Sequence, residues 1–247
     1  MTKIVLATAA TENYLGKIQP YLESINNKSN FDKNIFITLD CTATYPNLSN
    51  VECAFLDNNK IVNKNPNNCL QHGEFLKCDI FDSFNDNDII CFTDGDIILQ
   101  RGLTESEKQQ ILSLKDNDVL VQYNAGSQDT LLKEGPRLKQ KIQMDHSFSQ
   151  YPCYNTGVVV CNIKTWKQIE SMYDIIYPVV KNMFQHYASQ QWVISYIINK
   201  CMNPIIMDYS FHTHHHHGII EGNNYRDNCI YHNDNMVLFA HHVTNIS

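Results

Sequence analysis

Two aspartates flank a single glycine, Asp94-Gly95-Asp96, directly behind the apolar run Ile89-Ile90-Cys91-Phe92-Thr93. In an extended segment residues i and i+2 point the same way, so the two carboxylates face one spot. Converging anions repel each other unless a cation lies between them. A hard divalent ion, Mn²⁺ or Mg²⁺, taking oxygen ligands from the protein and from a diphosphate, is the natural partner. Such an ion offsets the charge that develops on a diphosphate leaving group. Gly95 leaves room for a bulky ligand to approach the backbone. The bland alternative is a D-G turn with both carboxylates solvated, because a bare D-x-D is common by chance. The buried run in front favours chemistry, since ligands of open α/β sheets bind beyond the carboxyl ends of the strands.

A second concentration of reactive side chains is the run from His212 through Thr213 to His214, His215, His216 and His217, just after Met207-Asp208-Tyr209. Its internal position argues against a purification tag. Either some of these imidazoles line a donor or acceptor pocket, or the run is a polar loop that binds metals adventitiously. No cysteine stands at zinc-ligand spacing, which disfavours a dedicated zinc site.

The elements that must position these groups follow from the apolar pattern. Strands are predicted at 3–10, 35–40, 51–56, 88–93, 119–123, 157–161, 205–207 and 237–240. An amphipathic stretch runs to about residue 26, and residues 69–84 show a helical period. Thr104 and Glu107 form a T-x-x-E capping box that starts a helix. Residues 125–150 are polar, broken at Gly135-Pro136 and basic at Arg137, Lys139 and Lys141, and read as a loop or lid. Residues 164–200 read as mostly helical with an interruption near Pro178. Strands alternating with helices indicate an α/β fold, a sheet with helices on both faces, in one domain over 1–247.

Composition narrows the partners. Lys and Arg number 19 against 26 Asp and Glu, a net charge of -7, which argues against the basic stripe a nucleic-acid surface needs. The nine cysteines include no C-x-x-C pair. No signal-like segment opens the chain, and no apolar stretch approaches the roughly 20 residues of a transmembrane helix. A cytoplasmic protein with free thiols and no transmembrane segment is expected.

With these segments in order, the chain resembles the GT-A glycosyltransferases, specifically the glycogenin and bacterial lipopolysaccharide galactosyltransferase-like family. The stretch from Ala7 through Thr8, Thr11 and Asn13 to Tyr14 resembles the strand and loop that hold the nucleotide base. Thr8, Thr11 and Asn13 are then its hydrogen-bonding partners, and Tyr14 its stacking partner. Lys77 stands where the family carries a basic residue ahead of the metal strand, and Phe92-Thr93-Asp94-Gly95-Asp96-Ile97 matches the metal motif. Tyr154-Asn155-Thr156-Gly157, continuing to Asn162 and Trp166, resembles the segment whose Asn155 and Gly157 lie beside the donor sugar. Ser189-Gln190-Gln191 stands in the place of a D-Q-D, which makes Gln190 a catalytic candidate. Phe239-Ala240-His241-His242 resembles the last strand, which delivers a metal-binding histidine, His241 in preference to His242.

The resemblance implies a GT-A (Rossmann-like) mixed, mostly parallel sheet and a Mn²⁺ or Mg²⁺ cofactor. It further implies a nucleotide-diphosphate sugar donor, with UDP as the expected carrier, and a glycan, lipid or protein acceptor. Two departures stand out. Val243-Thr244-Asn245 replaces the family's Gly and K-P-W, and Lys77 or one of the cations at 137–141 could substitute at the diphosphate if a loop folds over the site. Ser189 replaces an aspartate, which leaves retention or inversion open. Inversion needs a base near the acceptor, and Asp145, His146 and Asp208 are the candidates. Two other readings remain: a non-catalytic sugar-nucleotide binder, and a HAD-like phosphatase using Asp94 and Asp96. The phosphatase motif usually falls on a first strand.

Overall fold

A computed structural model describes residues 1–11, 14–39, 48–60, 77–123, 151–183, 189–214, 222–227 and 229–241. The apolar runs become the strands of a seven-stranded sheet. These are β1 (Ile4–Ala9), β2 (Lys33–Thr38), β3 (Glu52–Phe55), β4 (Ile89–Thr93), β6 (Asp118–Tyr123), β7 (Tyr154–Asn162) and β8 (Asn203–Ile206). Their spatial order is β3-β2-β1-β4-β7-β6-β8. β7 runs antiparallel to both of its neighbours, and every other pairing in this sheet is parallel. β1 and β4 are buried on both faces, which is why they read as unbroken apolar runs instead of alternating ones.

Alternation along those strands divides the core. Val5, Ala7, Ile90 and Phe92 point to one face, and Ile4, Leu6, Ile89 and Cys91 to the other. On the first face lie α3 (Ile163–Met183) and α4 (Ser189–Cys201). α3 presents Trp166, Ile169, Tyr173, Tyr177 and Val180 at helical spacing, with Trp166 stacked on Phe92 at 5.9 Å. On the second face lies α1 (Leu15–Lys28), which buries Ile18, Tyr21, Leu22 and Ile25. It is joined there by Ile111 of α2 (Glu105–Leu112) and by a small sheet. That sheet has the order β5-β13-β9, from β5 (Ile97–Leu99), β13 (Phe239–His241) and β9 (His212–His214). A meander of β10 (Asn223–Arg226), β11 (Cys229–His232) and β12 (Asn235–Met236) completes the described chain.

Some expectations are corrected. The helical run predicted over 69–84 is, in its described part, a short 3₁₀ turn at Asp79–Ser83. α3 passes straight through Pro178. A proline ring removes one backbone hydrogen bond, but the buried stripe on both sides of it holds the helix in line. β5, β9 and the meander were not foreseen, because strands of two to four residues show no periodicity. The seven described cysteines carry thiols. Burial pushes the Cys91 thiol, with Cys161 beside it, and the Cys161 thiol far above the usual range.

The end of β5 is tied to three other elements by Arg101. Its Nη1 and Nη2 donate to the Glu107 carboxylate of α2 at 2.8 and 2.7 Å. Nε donates to the Met236 carbonyl at 2.6 Å, and Nη2 also reaches the Ser210 carbonyl at 3.3 Å. Thr104 and Glu107 form the predicted capping box. Burial opposes ionisation of Glu107, but the hydrogen bonds from Arg101 and Thr104 outweigh it and hold the carboxyl below the usual glutamate pKa. A folded-state pKa below the unfolded value contributes stability that is present above the ordinary glutamate range and is lost as the pH falls through the lowered value. Glu107→Gln is therefore expected to lower stability in urea unfolding at pH 7 by about 1–3 kcal/mol, with the difference from the unmodified protein shrinking towards pH 3.

Candidate metal centre

β4 brings its C-terminal end to the ligand-binding edge of the main sheet, and several contacts fix that end. Thr93 Oγ1 lies 2.5 Å from the Tyr21 hydroxyl of α1 and donates to the Ala7 carbonyl at 3.3 Å. The Asp94 amide donates to the Gly157 carbonyl of β7 at 2.9 Å. Burial holds the Tyr21 hydroxyl well above its usual pKa, so it stays a neutral support beneath the carboxylates. Beyond this anchored end, Asp94 and Asp96 are each partly exposed. The Asp96 side leads directly into β5.

The third group arrives through the small sheet. β13 pairs antiparallel with β5, and His241 lies opposite Ile97, the residue after Asp96. His241 Nε2 is thereby 3.1 Å from Asp96 Oδ1 and 3.8 Å from Asp94 Oδ2. One ligand atom from each residue falls within 4.8 Å of the others. Two carboxylate oxygens and one imidazole nitrogen, with open positions on the exposed side, suit Mn²⁺ or Mg²⁺ completed by diphosphate oxygens. The donor set therefore fits the ion.

Gly157 explains its own place. A Cβ there would sit 2.3 Å from His241 Cε1 and 2.7 Å from its Nδ1, so the missing side chain is where the imidazole lies. Asn155 Oδ1 accepts from the Gly157 amide at 2.7 Å and shapes the bend at the start of β7. In α4, Ser195 Oγ accepts from the Tyr154 amide at 3.0 Å, and Gln191 reaches Cys153 at 3.7 Å. The first turn of α4, with half-buried Gln190, is thus set against the start of β7.

The other expected site residues are distributed more widely. Ala7 is buried within β1, and Thr8 is fully buried with its hydroxyl donated to the Thr93 carbonyl at 3.0 Å. That commits the Thr8 hydroxyl to the sheet. Thr11 is buried at the end of β1, where its carbonyl accepts the Tyr14 amide at 2.8 Å. Tyr14 is 42% exposed at the start of α1, with the Lys17 ammonium 5.0 Å from its ring centre. The Lys77 ammonium lies 2.9 Å from Asp174 of α3.

Asp208 stands apart from this cluster. It follows β8, three strand positions from β4, about 14 Å at the usual strand spacing. Its carboxylate accepts the Ser210 amide at 2.7 Å, and these hydrogen bonds hold it below its usual pKa. It also lines a pocket of ≈ 520 Å³ with Arg101, Glu107 and Phe211, at the end of the small sheet away from the metal ligands. Asn13, the cations at 137–141, Asp145, His146, His215, His216, His217 and His242 lie outside the described residues. The sequence reading also missed the contact that ties His212 to His241, at 3.4 Å. Both residues were visible, but no local signal pairs two three-residue strands so far apart in the chain.

Among solved structures the chain is similar to the galactosyltransferase LgtC in complex with donor and acceptor sugar analogues. The TM-score is 0.58 at 15% identity, covering 96% of this chain and 86% of that one. An active-site variant of LgtC, glutamine replaced by glutamate, gives 0.57 at 15% identity over the same 96% and 86%. The chain has a GT-A glycosyltransferase-like fold. The bifunctional glycosyltransferase WbbM, in its apo form, matches with a TM-score of 0.55 at 16% identity, over 87% of this chain and 40% of that one. No protein-family model and no curated protein sequence matches the chain.

The contact between Gly157 and His241 can be tested directly. Gly157→Ala must push the imidazole from its place, so divalent-metal affinity measured by titration calorimetry is expected to fall at least about tenfold, the scale of a disturbed ligand shell. Far-ultraviolet circular dichroism is expected to stay unchanged.

Proposed function

We propose that the chain is a metal-dependent glycosyltransferase that moves a sugar from a UDP-sugar to a glycan, lipid or protein acceptor. The carrying observation is the convergence of Asp94, Asp96 and His241 at the strand edge of a fold it shares with LgtC and WbbM. In this reading one domain spans 1–247. The thiol form of the described cysteines suits a reducing compartment such as the cytoplasm. Among the described residues no helix is long and apolar enough to cross a membrane.

The roles follow from position. Asp94, Asp96 and His241 would hold Mn²⁺ or Mg²⁺, which when bound neutralises charge on the departing diphosphate. Exposed Tyr14, beside the end of β1, offers a face on which the nucleotide base stacks. Thr11 and the neighbouring backbone border that base. Lys77, held ready by Asp174, is the cation assigned to the phosphates. The carbonyl end of Asn155 is engaged by Gly157, so its amide nitrogen is the end offered to the donor sugar. Gln190 stands at the turn of α4 next to it. LgtC has an active-site glutamine, and Gln190 is assigned the corresponding place here.

Calorimetric titration with UDP, GDP and CMP, each with Mn²⁺ and with EDTA, tests the proposal. UDP is expected to bind only with Mn²⁺, and Asp94→Ala/Asp96→Ala to abolish that binding. UDP-sugar turnover to free UDP in the same preparation is the expected second result. Binding without turnover would favour the non-catalytic binder. No nucleotide binding with Mn²⁺ present would refute the transferase.

A further inference from the structure

We infer that His212 is a positioning residue for His241: its Nε2 accepts the Nδ1 proton of His241 and so fixes the tautomer whose Nε2 lone pair faces the cation. The inference rests on the metal centre proposed above. It concerns a residue that binds neither ion nor donor.

β9 and β13 run side by side in parallel, with His212 opposite Phe239 and His214 opposite His241. His212 leans from its own register position towards the ring two residues on. Its Nε2 comes to 3.4 Å from His241 Nδ1, with ring centres 5.5 Å apart. Both rings are buried, at 0% and 4% exposure. On its other side the His241 ring meets Gly157, where even a Cβ would collide. The imidazole is therefore confined by a glycine, a second imidazole and the two carboxylates.

The chemistry of a neutral imidazole supplies the rest. It carries one N–H, and the nitrogen that bears the proton has no lone pair for a cation. His241 Nε2 is the atom that faces Asp94 and Asp96, so metal ligation through it places the proton on Nδ1. With that proton on Nδ1, His212 Nε2 at 3.4 Å is placed to accept it, which puts the His212 proton on its own Nδ1. Ligating histidines characteristically donate their second nitrogen to such a partner, which orients the ring. Here that partner is an uncharged imidazole, so His212 orients the ligand without adding a third negative charge to the carboxylate pair.

The test compares the unmodified protein with His212→Phe, which keeps a ring and removes the acceptor, and His212→Gln, which places an amide near the same point. Mn²⁺ affinity is read by electron paramagnetic resonance of the free ion, and thermal unfolding is measured in EDTA. His212→Phe is expected to weaken Mn²⁺ binding by about 10–100-fold with its melting temperature in EDTA little changed, and His212→Gln to retain most of the affinity. In Mg²⁺-saturated unmodified protein the ¹⁵N shifts of His241 are expected to show the Nδ1–H form. Mn²⁺ binding by His212→Phe equal to that of the unmodified protein would overturn the role, as would an Nε2–H form of His241 with Mg²⁺ bound. If His212→Phe does not fold, the ¹⁵N result and His212→Gln decide. Failure of the unmodified protein to bind Mn²⁺ would instead refute the metal centre, and the role of His212 with it.

Discussion

Like charges on Asp94 and Asp96 meet at the end of a strand that is buried on both faces, where water screens them from one side only. The surrounding structure is built to tolerate that repulsion. Tyr21 and Thr93 form a neutral support beneath the pair. Gly157 takes the Asp94 amide into its backbone and leaves its own side-chain space to His241. The small sheet then delivers an imidazole to the same point. A carboxylate pair answered by one soft-edged nitrogen and an open side is a cation cradle, and the rest of the site is arranged around it.

The two faces of the main sheet divide the labour. Under α3 and α4 the packing is dense and aromatic, with Trp166 on Phe92 and Tyr173 stacked on Tyr177. That side holds the start of β7 in place through Ser195 and Tyr154. The other face carries α1 and the small sheet, and it is from here that His241 and His212 approach. Precise geometry on one side therefore depends on tight packing on the other, transmitted through β4 and β7.

How much of this could be read from the chain follows from physics at each position. β1, β2 and β4 were legible because strands buried on both faces become apolar runs that nothing else explains. The Thr104–Glu107 box was legible because its two hydrogen bonds are local. The Asp94–Asp96 pair was legible because a strand end and a glycine frame it. His241 was reached through resemblance and not through pattern. β5 and β9 left no trace, since three-residue strands carry no period, and the pairing of β13 with them is non-local. Pro178 looked like a stop, but a well-packed helix absorbs one lost hydrogen bond.

The three candidate metal ligands come from widely separated stretches of chain, two from the middle and one from the last described strand. Bringing such distant residues together costs loop-closure entropy, and an ion that binds only the assembled arrangement returns part of that cost by mass action. An ion held there would act as a removable crosslink between β4 and β13. The small sheet would then be the part of the molecule whose order rises and falls with metal supply, and the strand carrying His241 the first to come loose when the ion is withdrawn. In such a protein the catalytic ion is also a late folding element, and mechanical integrity at the sheet edge is coupled to chemical readiness.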